Sequence, residues 1–130
     1  MSALSAPDQY QEIRDAVRSL CQQFPAEYHR KIDEARGYPE EFVNALTKAG
    51  WLAALIPQEF GGPGLSMAEA SVIMEEINRS GGNSGACHGQ MYVMNTIVFS
   101  GTDAQKQKYL PRIAAGDLRV QSMGVTEPTT

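Results

Sequence analysis

Between Gly81 and Gly101 the chain carries no aspartate, glutamate, lysine or arginine. A stretch of that length without charge has to be hidden from water, either in a membrane or inside a protein. A spanning helix needs about 20 predominantly apolar residues. Here Gly85 and Gly89 interrupt the run, together with Asn83, Ser84, His88, Gln90 and Asn95. The segment therefore reads as a buried helix of a water-soluble domain, from about Ser84 to Phe99. Met91, Met94 and Val98 lie on one side, and Val93, Thr96 and Ile97 on another. A helix apolar nearly all round belongs at the centre, covered by its neighbours.

The rest of the chain supplies helices to cover it. Tyr10, Ile13, Val17, Leu20 and Phe24 recur at helical spacing, with Pro7 suited to the first turn and Pro25 ending the run. A second helix is expected from Pro39, its Glu40 and Glu41 near the positive end of the dipole. Phe42, Val43, Leu46 and Ala49 form its apolar side, and Gly50 suits a left-handed terminus. Ser66-Met67-Ala68-Glu69 has the spacing of a capping box, opening a third helix with Ala70, Ile73, Met74 and Ile77 as its stripe. Thr102-x-x-Gln105 opens the last helix in the same way, and Pro111 inside it predicts a kink or an early end. Beyond Asp117, Leu118 to Val125 roughly alternates apolar and polar, the pattern of a β-strand. The expected fold is all-α, a bundle of four to five helices, followed by one orphan strand. A strand needs partners for its backbone groups, and no other segment offers one, so the strand would begin a further β-domain. The division falls at 1–117 and 118–130.

Several classes of chemistry are disfavoured. The net charge is −4, with charges interspersed, so nothing resembles the basic track that nucleic acid requires. Cys21 and Cys87 have no metal-ligand spacing and read as reduced buried thiols. Asp8 and Glu12 precede the first basic residue, Arg14, unlike a secretory signal or an Arg-rich transit peptide, and a cytoplasmic protein is expected. The turn Gly61-Gly62-Pro63-Gly64 lacks the Lys-Ser/Thr of a P-loop. His88 has no second ligand at helical spacing, so no metal site is assigned. Met67, Met74, Met91 and Met94 serve either as adaptable core filler or as the lining of an apolar pocket. Glu75 and Glu76 read as a solvated face.

Three stretches, in order, carry a resemblance: Ile56-Pro57-Gln58-Glu59-Phe60-Gly61-Gly62-Pro63-Gly64-Leu65-Ser66, then the run from Gly101 to Asp117, then Met123-Gly124-Val125-Thr126-Glu127-Pro128. Together they resemble the N-terminal helical domain of the acyl-CoA dehydrogenase family. The resemblance implies an FAD-dependent oxidoreductase that takes an α-proton from an acyl-CoA thioester while the β-hydride passes to the flavin. It also implies a homo-oligomer that hands electrons to an electron-transfer flavoprotein. By the same resemblance Met123 and Val125 would contact the flavin edge through their backbone, and Thr126 through its hydroxyl. Many members have an aromatic residue where this chain has Met123. The charge-free helix would help to wall the acyl pocket, with Cys87, His88, Met91, Tyr92 and Asn95 as candidate lining residues. The family's base comes from elsewhere, so Glu127 is not assigned that role and no catalytic residue is assigned to the chain. The pattern would continue past Pro128 to a Gly-Ser pair, so the chain reads as stopping inside the flavin-contacting segment and as inactive by itself. Two rival readings are a flavin monooxygenase or oxidase on the same scaffold, and a helical interaction module without catalysis.

Overall fold

In the computed structural model, residues 8–129 are described; Pro7 lies outside them. The periodic run after Tyr10 becomes α1 (Gln11–Cys21), burying Val17 and Cys21 and half-burying Ile13 and Leu20. Then follow α2 (Ala26–Glu34), α3 (Glu40–Lys48), α4 (Met67–Arg79), α5 (Gly85–Ser100) and α6 (Asp103–Ala115). Two short 3₁₀ turns, Trp51–Ala53 and Gln58–Phe60, join α3 to α4. The domain is all-helical among the described residues, as the sequence predicts, with one helix more than expected. The extra one is α2, in which only Tyr28 and Ile32 offer large apolar side chains and no residue is fully buried. So sparse an apolar face gives almost no periodic signal.

Local rules hold well at the helix ends. Both capping boxes close reciprocally, Ser66 with Glu69 and Thr102 with Gln105. Gly50 takes the left-handed conformation, φ 82°. The core gathers Phe42 and Leu46 from α3, Ile73 and Ile77 from α4, Met94 from α5, and Leu110 and Ile113 from α6. Burying each of these removes apolar surface worth about 1.5–3 kcal/mol. Helix α1 packs on α4, and α5 packs on α6.

Four expectations need correction or qualification. Pro111 does not end α6, which continues to Ala115; Leu110 and Ile113 anchor the helix in the core on either side of it. Glu76 is not on a solvated face: it is 1% exposed, because Arg14 and Arg18 of α1 reach its carboxylate. Glu75 does stay exposed, paired with Arg14 at 2.9 Å. The helix α5 is not covered all round, since Tyr92 and Phe99 are 41% and 76% exposed. Its neighbours cover Ala86, Cys87, Gly89, Gln90, Met91 and Met94 and leave the opposite side open. Finally, residues 118–127 adopt no regular secondary structure. The alternation is physical, for Leu118 and Val120 pack on the core while Arg119 turns to Glu40 and Asn44. With no second strand among the described residues, no sheet forms.

Candidate functional site

The open side of α5 faces α4 across a groove of about 610 Å³. Its walls follow from helical geometry. On α5, His88, Met91, Tyr92 and Asn95 recur at spacings of three and four and share one face. On α4 the same rule aligns Met67, Ala70, Ser71, Met74 and Asn78, and Leu55 contributes from the preceding loop. The floor is apolar and adaptable: Met91 is buried, Met74 half-buried and Met67 exposed at the mouth. Glu75 stands at the rim, already in its ion pair with Arg14.

The polar groups of the walls divide into two sets. Ser71 donates to the Met67 carbonyl at 2.9 Å, Asn78 to the Met74 carbonyl at 3.2 Å, and Thr96 to the Tyr92 carbonyl at 2.9 Å. These three are satisfied within their own helices. His88 makes an edge-to-face contact with Tyr92, ring centroids 5.2 Å apart. Neither His88 nor Asn95 makes a side-chain hydrogen bond among the described residues. The groove thus combines thioether and aromatic walls with two uncommitted polar groups, the usual composition of a small-molecule site.

Of the five lining residues expected on α5, the structure brings His88, Met91, Tyr92 and Asn95 to the groove. Cys87 is not there. It points into the core, fully buried, where burial pushes its thiol up to about 12. Met67 and Met74 line the groove, whereas Met94 is core. Leu55, Ser71 and Thr96 also line it. The only signal for Ser71 and Thr96 was their position four residues beyond Met67 and Tyr92.

The other proposed contacts lie on the segment after α6. Met123 is 38% exposed and Val125 71%, and Thr126 is exposed as well. All three sit outside regular secondary structure, where backbone groups and a hydroxyl are open to a ligand. That fits an edge contact with a flat ring and falls short of an enclosing site. Among the described residues no cluster of His, Cys, Asp or Glu could hold a metal ion. Nor is any helix among them long and apolar enough to cross a membrane.

Known proteins resemble this chain in architecture and in sequence. A chain in the solved structure described as the electron transferring flavoprotein of Acidaminococcus fermentans matches with a TM-score of 0.72 at 26% identity, over 87% of this chain and 30% of its own. Isovaleryl-CoA dehydrogenase, mitochondrial, of Solanum tuberosum is 32% identical over 98% of this chain and 32% of its own length. The 2-methylacyl-CoA dehydrogenase, mitochondrial, of the same plant is 30% identical over the same shares. A probable acyl-CoA dehydrogenase of Mycobacterium tuberculosis is 29% identical over 84% of this chain and 28% of its own. The chain therefore spans about a third of the length of the relatives it matches. The family described as acyl-CoA dehydrogenase, N-terminal domain, matches residues 7–117, and the chain belongs to that family.

Proposed function

We propose that this chain is the N-terminal part of an FAD-dependent acyl-CoA dehydrogenase-like oxidoreductase acting between Cα and Cβ of an acyl-CoA thioester. Residues 1–117 form the helical domain, and residues 118–130 lead into a β-domain. The groove between α4 and α5 is the observation that carries the reading. At about 610 Å³ it falls within the range of about 300–1,000 Å³ typical of small-molecule sites. Its methionine, leucine and tyrosine walls suit a short acyl chain. His88 and Asn95, about two turns apart on α5, can each hydrogen-bond a polar head such as a thioester carbonyl. The names of the relatives suggest a branched acyl group such as isovaleryl.

When bound, FAD supplies the two-electron acceptor for the β-hydride. Met123 and Val125 would meet its edge through their backbone, and Thr126 through its hydroxyl. The chain's own residues otherwise bind and exclude water: Met67, Met74 and Met91 close on the acyl chain, and Tyr92 flanks it. Glu75, the carboxylate at the rim of the groove, is paired with Arg14, and no catalytic residue is assigned to this chain. The proton-abstracting base, the onward transfer to an electron-transfer flavoprotein and assembly into a homo-oligomer belong to the whole enzyme in this reading.

The test is a titration of the ¹⁵N-labelled chain with isovaleryl-CoA, followed by amide chemical shifts. Shifts confined to Met91, Tyr92, Asn95 and the facing residues of α4 are expected. Shifts elsewhere, or none at millimolar ligand, would remove the groove from the reading. Turnover of any acyl-CoA by the 130-residue chain alone would overturn the assignment of the base to the rest of the enzyme.

A further inference from the structure

The segment after α6 is tied down at several points before it reaches Met123. The Leu118 amide donates to the Arg112 carbonyl at 3.2 Å. Arg119 bridges to Glu40 at 3.3 Å and to the side-chain oxygen of Asn44. Leu118 and Val120 pack on the core between these contacts. Gln121 then donates its side-chain amide to the Tyr38 hydroxyl at 3.0 Å and to the Ala86 carbonyl at 3.1 Å.

The closest approach is made by backbone. A Cβ placed on Gly89 would sit 2.6 Å from the carbonyl oxygen of Gln121 and 3.2 Å from its carbonyl carbon. No real Cβ tolerates that distance, and a carbonyl cannot swing aside as the end of a long side chain can. Only a residue without a side chain lets Gln121 lie on α5 here. Gly85, one turn earlier on the helix, is different: its Cβ would meet only the side-chain oxygen of Asn83, at 3.0 Å.

The geometry points to Gly89 and Gln121 as positioning residues that seat the Met123–Thr126 segment on the helix that also walls the groove. His88 and Tyr92 lie beside Gly89 on α5 and face the groove, while Ala86 and Gly89 face residues 118–126, the strap, at Gln121. One helix thus sets the distance between the acyl groove and the flavin-contacting segment. The inference rests on the reading that Met123, Val125 and Thr126 meet the flavin, and it adds the residues that put them in place.

Gly89→Ala separates positioning from mere stability, because alanine favours the helix and only the strap contact suffers. ¹⁵N relaxation of the 130-residue chain reads the strap directly, and Gly85→Ala is the control. In the wild type and the control, order parameters at Gln121 and Ser122 should match rigid backbone, about 0.85. In Gly89→Ala they should fall below about 0.6, with the order of α1 to α6 unchanged. Gln121→Ala, an exposed substitution that cannot disrupt the core, should lower the order of Ser122 in the same direction and covers the case in which Gly89→Ala misfolds. Rigid values retained in both variants, or low values already in the wild type, overturn the inference. A parallel titration with FAD tests the reading beneath it. Wild-type shifts at Met123, Val125 and Thr126 that weaken in Gly89→Ala support both. No FAD shift in the wild type sinks the flavin contact, and with it the positioning role, whatever the relaxation data say of the strap.

Discussion

Arg18 holds the carboxylate of Glu76 in a fork, its Nε donating to Oε2 at 3.1 Å and its Nη2 to Oε1 at 3.0 Å. Arg14 adds a third hydrogen bond to Oε1 at 3.2 Å. A buried carboxylate on α4 thereby fixes α1 both along and around its axis, because a planar fork accepts only one orientation.

Replacing Glu76 with glutamine keeps the shape and removes the charge. The loss expected is about 2 kcal/mol, the scale of hydrogen bonds to charged groups, read from urea unfolding. Arg18, followed by Arg14, holds the Glu76 carboxyl below its ordinary range, against burial that pushes the other way. With the folded value below the unfolded one, the stabilisation is complete above the unfolded carboxylate value of about 4.3. It is lost as pH falls through the lower folded value. Glu76→Gln should therefore flatten part of the acid limb of stability. An acid limb identical to the wild type would show that the fork contributes nothing net.

His29 acts on a higher pH window. Its Nε2 is buried without a hydrogen-bond partner among the described residues, and its ring meets Phe42 edge-on at 5.0 Å. Burial lowers its affinity for a proton. The unfolded state thus takes up the proton first, so this contribution is full above about 6.5 and declines as pH drops below that value. His29→Phe should remove this slope while keeping the ring packing. An NMR titration that finds His29 protonating at or above the unfolded value would refute the assignment.

Two glycines should respond differently to alanine. At Gly50 the φ of 82° is the only obstacle, with no atom within 4 Å of an added Cβ, and a cost of about 1 kcal/mol is expected. At Gly62 the Cβ would lie 2.2 Å from the Ile56 carbonyl oxygen, so the loop must rebuild. A loss above about 4 kcal/mol belongs to that rarer class of substitution. Thermal unfolding of the two variants side by side distinguishes a strained conformation from a steric collision.

The thiols should be silent in the native chain. Cys21 and Cys87 are both free and buried, and burial raises both, Cys87 to about 12. A thiol that stays protonated is a poor nucleophile. Ellman's reagent at pH 8 should find almost no fast-reacting thiol until denaturant is added, then both. Rapid native labelling of Cys87 would mean that the inner face of α5 opens readily.

Legibility in the sequence followed the range of the interactions. Ser66 with Glu69 and Thr102 with Gln105 lie within one turn, so their roles could be read directly. Glu76 could not be, because its partners Arg14 and Arg18 stand 62 and 58 residues away. The α5 wall of the groove was partly legible from its spacing and from the family resemblance. Cys87 neighbours His88 in sequence, but one step along a helix turns a side chain by about 100°, enough to send it into the core. The α4 wall depends on how two helices cross, which no local pattern encodes. The alternation after Asp117 suggests a strand, yet apolar residues at every second position look the same whether they pack on a sheet or, as Leu118 and Val120 do, on helices.

The helix that walls the groove carries no aspartate, glutamate, lysine or arginine anywhere along its length. It can therefore offer no fixed charge to attract one guest and repel another. In the proposed reading, selection on that wall would rest on hydrogen bonds to His88 and Asn95 and on volume, the latter in steps of about 0.8 kcal/mol for each methylene that fits or fails to fit. Discrimination of that kind would depend less on ionic strength than discrimination by a charged wall.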